Sequence, residues 1–346
     1  MLPLLHHLPD PLDLRKYPAP SFLAATHSWI LKETWLQRRS RSIHRQHEKL
    51  GDVIRIAPSL IIFNIPEAVP DIYGHAAAQL SSIRCVKIIK QLFSSTNWLK
   101  QSTGAHGIED FDNLCINQLT GRLDNSSPNR PQQDFMSKIL QDREGKPRKL
   151  SFEKLLSESI VFMNAGSETT AAALSSTLYF LLSNPKCFEK LRAEIDARLG
   201  PNHDGIVSYD STKDLPYLRA CLDESLRLRP PIAYALQRLV VSPQGAIIAG
   251  HHIKQGTTVA VSLWTIHRNR KLYKNPDEFD PERCQGPRQC LSRHIAIVEL
   301  QILFSTLVRR YDMYLADQEM DFVIFDRFNS NPGPLPVKVE RRVFVD

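Results

Sequence analysis

Apolar and polar positions are weakly ordered over the first third of the chain and strongly ordered over the rest. From about His27 to Leu50 apolar residues recur at helical spacing among arginines and histidines, which predicts one basic amphipathic helix. Val53 to Ala57 and Leu60 to Asn64 read as two short strands joined at Pro58-Ser59, a hairpin signal. Pro66 to Tyr73 reads as a helix with proline early, where its missing N–H does no harm. Between Gly74 and Pro131 only the stretch around Ile108 to Leu123 keeps a helical period, and Asp124 to Gln133 (DNSSPNRPQQ) is a polar loop.

From Ser151 onward the pattern is continuous. Ser151 caps a helix that meets no strong breaker until about Ser183, a length of about 45 Å at 1.5 Å per residue. Asn184-Pro185 ends it and opens another helix to Leu199, and a third runs from about Leu215 to Leu228, stopped by Pro230-Pro231. Short strands follow at Leu236 to Val241, Ala246 to Ala249 and Thr257 to Val261. A proline-punctuated stretch, Asn275 to Pro287 (NPDEFDPERCQGP), leads to Cys290 and a helix from Leu291 to about Arg310. The expected fold is mainly α with small β-sheets, one domain over 1–346 whose better patterned part is 131–346. Ser159 to Leu182 is apolar enough to suggest a membrane span. Glu168 near its middle argues otherwise, since an ionised carboxylate at mid-bilayer costs about 2.5 to 3.5 kcal/mol. A long helix through the core, carrying one polar cluster, is expected instead.

Composition narrows the function classes. At 346 residues, 42% hydrophobic and 23% charged, the chain can bury a substantial core and is neither fibrous nor disordered. The net charge of +7 is mild, and its densest basic run, Arg38 to Lys49 (RRSRSIHRQHEK), is broken by histidines and serines. A solvated helix face is expected there, and no nucleic-acid partner. Six cysteines are scattered singly with no C-x-x-C pair, so neither a zinc ribbon nor a dithiol redox site is suggested, and a reducing compartment is the default. His251 and His252 are adjacent and in a strand would face opposite sides. Met1 to Leu8 is too short for a signal core or a membrane anchor.

Three features carry candidate chemistry. Ala165-Gly166-Ser167-Glu168-Thr169-Thr170 bares a patch of the long helix and sets an acid and a hydroxyl beside it, suited to a flat ligand or to a close helix crossing. Glu224 and Arg227 (ESLR) stand at i, i+3 on an otherwise apolar helix, worth only a few tenths of a kcal/mol at a surface. They matter if a third charge joins them in the interior, and Arg283 in Asp280-Pro281-Glu282-Arg283 is the candidate. Cys290, after Gly286-Pro287-Arg288-Gln289, precedes a helix whose positive end would favour its thiolate, as nucleophile or metal ligand; no convincing general base accompanies it.

In this order the motifs resemble those of the cytochrome P-450 family, the haem-thiolate monooxygenases, and in particular its fungal secondary-metabolism members. AGSETT resembles the family's central-helix motif, ESLR its E-x-x-R, PER its P-E-R-F/W, and GPRQC the tail of its cysteine loop F-x-x-G-x-R-x-C-x-G. RKYPAP, GDVIRIAPSL, PEAVPDIYG, ALQRLV and HRNRKLYKNPDEFDPER add to the likeness. The resemblance implies haem b with Cys290 as axial thiolate, and Glu168 and Thr169 beside the oxygen site. It also implies Arg288 and Arg238 on the haem propionates, and Glu224, Arg227 and Arg283 as a buried structural triad. Implied partners are a small apolar substrate, lined by residues near Phe162, Ala165 and Pro231 to Tyr234, and a flavoprotein reductase drawing on NADPH. The expected location is the cytoplasm or the periphery of the endoplasmic reticulum membrane, with no transmembrane anchor in the chain.

The sequence also departs from the family pattern. Only Cys284 and Gln285 separate Arg283 from Gly286, where the family carries a longer meander. Arg283 takes the place of the expected aromatic, and Ser292 stands for the glycine after the cysteine. Trp98 is followed four residues later by Ser102, so the W-x-x-x-R/K motif is not found. These losses support a second reading, a shortened non-catalytic relative with impaired haem binding.

Overall fold

The computed structural model describes residues 10–82 apart from 75, 76 and 78, residues 106–124, residues 134–283 apart from 143 and 202–204, and residues 293–343 apart from 327 and 328. The chain forms two compact units, 1–83 with 169–346, and 84–168. In chain order the N-terminal elements are α1 (Ser28–Trp35), α2 (Arg39–Leu50), β1 (Val53–Ala57), β2 (Leu60–Phe63), α3 (Ala68–Tyr73) and β3 (Leu80–Ser82). Next come α4 (His106–Asp124), α5 (Phe135–Ile139), α6 (Phe152–Ser183), α7 (Pro185–Leu199), α8 (Tyr209–Thr212) and α9 (Pro216–Leu228). The strands β4 (Arg238–Val240), β5 (Ala246–Ile248), β6 (His251–Ile253) and β7 (Thr258–Val261) precede α10 (Leu263–Ile266) and a 3-10 turn at Pro281–Arg283. The chain closes with α11 (Arg293–Arg310), β8 (Tyr311–Leu315), β9 (Ile324–Asp326), β10 (Ser330–Pro332) and β11 (Val337–Arg341).

The larger unit has a helical core and a sheet core. The first joins Leu181 of α6, Leu191 and Ile195 of α7, Leu218 and Leu222 of α9, and Leu300, Phe304 and Val308 of α11, all buried. The second surrounds a five-stranded sheet of order β1-β2-β7-β4-β3. Every residue of β2 is buried because its alternate faces enter different clusters, Ile61 and Phe63 on one side, Leu60 and Ile62 on the other. β2 pairs antiparallel with β1, Ile54 opposite Ile62, and parallel with β7, Ile62 opposite Ala260. His251 packs on Tyr17 and Phe63 while His252 is exposed, the opposite-face placement that adjacency requires. In the smaller unit Arg122 of α4 binds Asp134, which caps α5, and Phe135 stacks on Phe162.

Three expectations are corrected. The single helix over His27–Leu50 is two, because Gln37 adopts φ 50° and its carbonyl accepts from Asp326 N at 3.2 Å. The Asp326 carboxylate then caps the start of α2, accepting from Ser40 N and from Ser40 Oγ. A partner 286 residues away creates that helix start. Second, the Arg38–Lys49 run is not solvated throughout: Ser40, Ser42, Ile43 and His47 are buried, and Arg39 lies 3.5 Å over the Tyr234 ring. Third, α6 is a core helix only in part. Ala172, Ala173, Ser176, Thr177, Leu181 and Leu182 are buried, whereas Val161, Phe162 and Ala165 to Glu168 are exposed. No helix among the described residues is long and apolar enough to cross a membrane.

Candidate active site

The sequence-derived residues fall into an interior charge network, an exposed helix surface and a cation at the sheet. Helix α9 is amphipathic, and burying its apolar face takes Glu224 and Arg227 inward with it, both side chains at 0% exposure. Arg227 meets Glu224 as a fork, Nε to Oε2 at 2.7 Å and Nη2 to Oε1 at 2.8 Å. Its remaining donors reach backbone carbonyls: Nη1 to His267 and Pro276, both at 2.7 Å, and Nη2 to Glu278 at 3.2 Å. All five guanidinium N–H groups therefore have acceptors, the condition for burying the charge. Glu224 Oε1 also accepts from Asp280 N at 3.1 Å and lies 3.1 Å from Arg283 Nε in an ion pair. Arg283, held as well by the carbonyls of Lys274 and Asn275, completes the three-residue group.

The loop 264–283 does a second job that the sequence reading missed. Carbonyls in the last turn of a helix lack intrahelical partners. Here His267 Nδ1 lies 3.0 Å from the Arg227 carbonyl, the geometry of a donated proton, and Arg268 Nη2 donates to the Leu228 carbonyl at 2.7 Å. Arg268 also stacks 3.7 Å over Trp264, and burial pushes its guanidinium down to about 10 against the attraction of Asp277. The sequence signal for this C-terminal cap was His267-Arg268-Asn269 itself, basic side chains close before the prolines that fix the loop.

On α6, Ser151 Oγ accepts from Lys154 N at 3.4 Å, and the helix runs unbroken past Glu168, exposed, and Thr169, half-buried. Ser167 turns its hydroxyl back to the Met163 carbonyl at 2.7 Å. Among the described residues no atom lies within 4 Å of where a Gly166 Cβ would be, so Gly166 itself marks no close helix crossing there. Arg238, at the start of β4, is half-buried, donates to the Gln237 carbonyl at 3.1 Å and stands 5.2 Å over the Tyr73 ring. Tyr73 is fixed by donating to the Leu236 carbonyl and accepting from Val261 N, and burial pushes its hydroxyl up to about 12. No carboxylate pairs with Arg238 among the described residues. A half-buried cation in that state suits a ligand bearing a carboxylate. Cys290 and Arg288 lie outside the described residues.

The sequence profile of the family described as Cytochrome P-450 matches residues 77–285, which include AGSETT, ESLR and PER and stop short of Cys290. The cytochrome P-450 monooxygenase ORF9 of Penicillium roqueforti is 35% identical over 205 residues, 55% of this chain and 39% of that protein. The cytochrome P-450 monooxygenase traB of Penicillium crustosum is 33% identical over 279 residues, 70% of this chain and 54% of its own length. The trichothecene C-15 hydroxylase of Fusarium sporotrichioides is 32% identical over 222 residues, 59% and 44% of the two chains. The chain thus spans about two fifths to half of the length of these relatives. A crystal structure of the cytochrome P-450DA heme domain superposes with a TM-score of 0.59 at 23% identity, over 73% of this chain and 58% of that one. The helix-rich fold with small sheets is therefore of the same kind. With the motifs, the fold and a profile match over more than half its residues in agreement, the chain belongs to the cytochrome P-450 family.

Proposed function

We propose that this chain carries the haem-thiolate site of a monooxygenase that oxidises an apolar secondary metabolite, with electrons from a flavoprotein reductase and ultimately NADPH. The observation that carries the reading is the interior network of Glu224, Arg227 and Arg283, since it draws ESLR and PER together beside the segment that leads to Cys290. Haem b would supply the activation of dioxygen and the insertion of one oxygen atom into the substrate. Cys290 would hold its iron as thiolate, and Arg288 and Arg238 would neutralise its propionates through charge-assisted hydrogen bonds. Thr169 would hold a proton at its hydroxyl and Glu168 would pass protons towards it from solvent, which its exposure permits. Phe162 and Ala165, exposed on the same helix, would meet the apolar substrate. Work at the periphery of the endoplasmic reticulum membrane is part of this reading, as is one catalytic domain over 1–346.

One observation favours the second reading, a non-catalytic relative that binds haem poorly. Arg283 is tied to Glu224, Lys274 and Asn275, and two residues then separate it from Gly286. The carbon monoxide difference spectrum of the reduced protein, expressed with ample haem, separates the two. A red-shifted Soret band lost in Cys290→Ala and kept in Cys284→Ala is the expected result. Loss in Cys284→Ala alone moves the ligand to that cysteine, and a protein that retains no haem overturns the monooxygenase reading.

A further inference from the structure

Arginine is also concentrated where the proposed oxidation has no use for it. A cleft of about 510 Å³ opens against one face of α2. Arg41 and Arg45 line it together with Arg38, the residue before the helix, with Arg268 and Trp264, and with His44 and the acids Glu48 and Asp277. Positions 38, 41 and 45 share a helix face, where like charges repel and destabilise the helix unless they are compensated. Arg38 has Glu33 at 2.8 Å, and Arg268 has Asp277 at 3.0 Å. Arg41 and Arg45 have no carboxylate partner among the described residues: one donates to the Ile324 carbonyl at 2.7 Å, the other to Ser42 Oγ at 3.0 Å. Each thus spends a donor on a neutral acceptor, and the remaining acid of the cleft, Glu48, lies 3.9 Å from His44 Nε2 and forms no ion pair with either arginine. In the same wall His44 Nδ1 is buried with no hydrogen-bond partner.

A second cleft, of about 430 Å³, shares Arg38 and Arg41 with the first and continues onto an apolar wall. Trp35 is 80% exposed, Leu36 45% and Val323 47%. Several guanidinium forks converging from α2 and the 264–283 loop suit a tetrahedral, multiply charged anion better than one flat carboxylate, which a single arginine can hold. We propose that the two clefts form one binding site for a phosphoryl group carried on an apolar body, the phosphoryl on Arg41 and Arg45 and the apolar part on Trp35 and Leu36. The site lies outside the haem chemistry and stands or falls independently of it.

Two sources share this chemistry, a soluble phosphorylated amphiphile and the headgroup of an anionic lipid. Titration calorimetry of the full chain with monomeric dodecyl phosphate, beside sedimentation with phosphatidylcholine vesicles with and without phosphatidic acid, tests the site and tells them apart. Saturable binding is expected, weakened at least about tenfold in Arg41→Ala/Arg45→Ala and by less in Arg41→Lys/Arg45→Lys, which keeps the charges and loses the forks. Trp35→Ala, at an exposed position that folding does not depend on, is expected to weaken it too. Dodecyl phosphate bound without phosphatidic-acid-dependent sedimentation assigns a soluble ligand; sedimentation that dodecyl phosphate competes away assigns the lipid headgroup. The proposal is overturned if the wild type binds neither probe, or if the Arg41→Ala/Arg45→Ala and Trp35→Ala variants both bind as the wild type does.

Discussion

Arg227 and Arg41 are the same side chain under opposite conditions. Arg227 is fully buried, and a carboxylate and three carbonyls take all of its donors. Arg41 is exposed, spends one donor on a carbonyl and meets no carboxylate among the described residues. A buried charge is tolerated only when its partners are complete, and completing them takes contacts from several segments. At the surface water compensates the charge, so an arginine there can be left open for a ligand. The interior network is accordingly a device of assembly, and the surface cluster one of recognition.

The comparison is broken most forcefully from the inside. Arg227→Met leaves the Glu224 carboxylate buried with its main partner gone, and should cost about 3 to 5 kcal/mol in equilibrium urea unfolding. Adding Glu224→Leu should recover part of that loss, because the stranded charge goes with it. A smaller effect is expected at Asp196, which stands between the two extremes. Burial pushes its carboxyl up, but hydrogen bonds from Arg342 at 2.8 Å and Arg309 at 2.7 Å outweigh this and hold it below the usual aspartate range. A carboxylate held low contributes stability above its unfolded value and loses it as pH falls through the folded one. Asp196→Asn should therefore lower the melting temperature at neutral pH and make progressively less difference below about pH 4. Least of all is expected from Lys271, whose pair with Asp52 at 2.8 Å is well exposed: Lys271→Gln should leave the melting curve unchanged within error.

Much of the fold was legible because its signals are local. The Ser151 cap, the Asn184-Pro185 stop and the Pro230-Pro231 stop mark the long helices, and the short apolar runs on either side of Pro58-Ser59 mark β1 and β2. The C-terminal pair β8 and β11 was missed although its period is visible, with Met313 and Leu315 buried and Tyr314 exposed. Of the candidate site, Glu224 and Arg227 stood out at i, i+3, whereas the carbonyls of His267, Pro276 and Glu278 that complete Arg227 carry no signal in residue identity. Any residue can offer a carbonyl, and only the path of the loop decides which one does.

By itself the sequence determined where the helices run, which faces are apolar, which residue types stand ready for chemistry, and the order of motifs that marks the family. Tertiary structure alone decided that α2 starts at Arg39, since its cap is the carboxylate of Asp326. It also decided that α6 is buried along only part of its length, and that Arg41 and Arg45 face a cleft without an ion pair to either of its acids, Glu48 and Asp277. Propensity and period act over a few residues, while partners for charges and helix ends come from wherever the folded chain brings them.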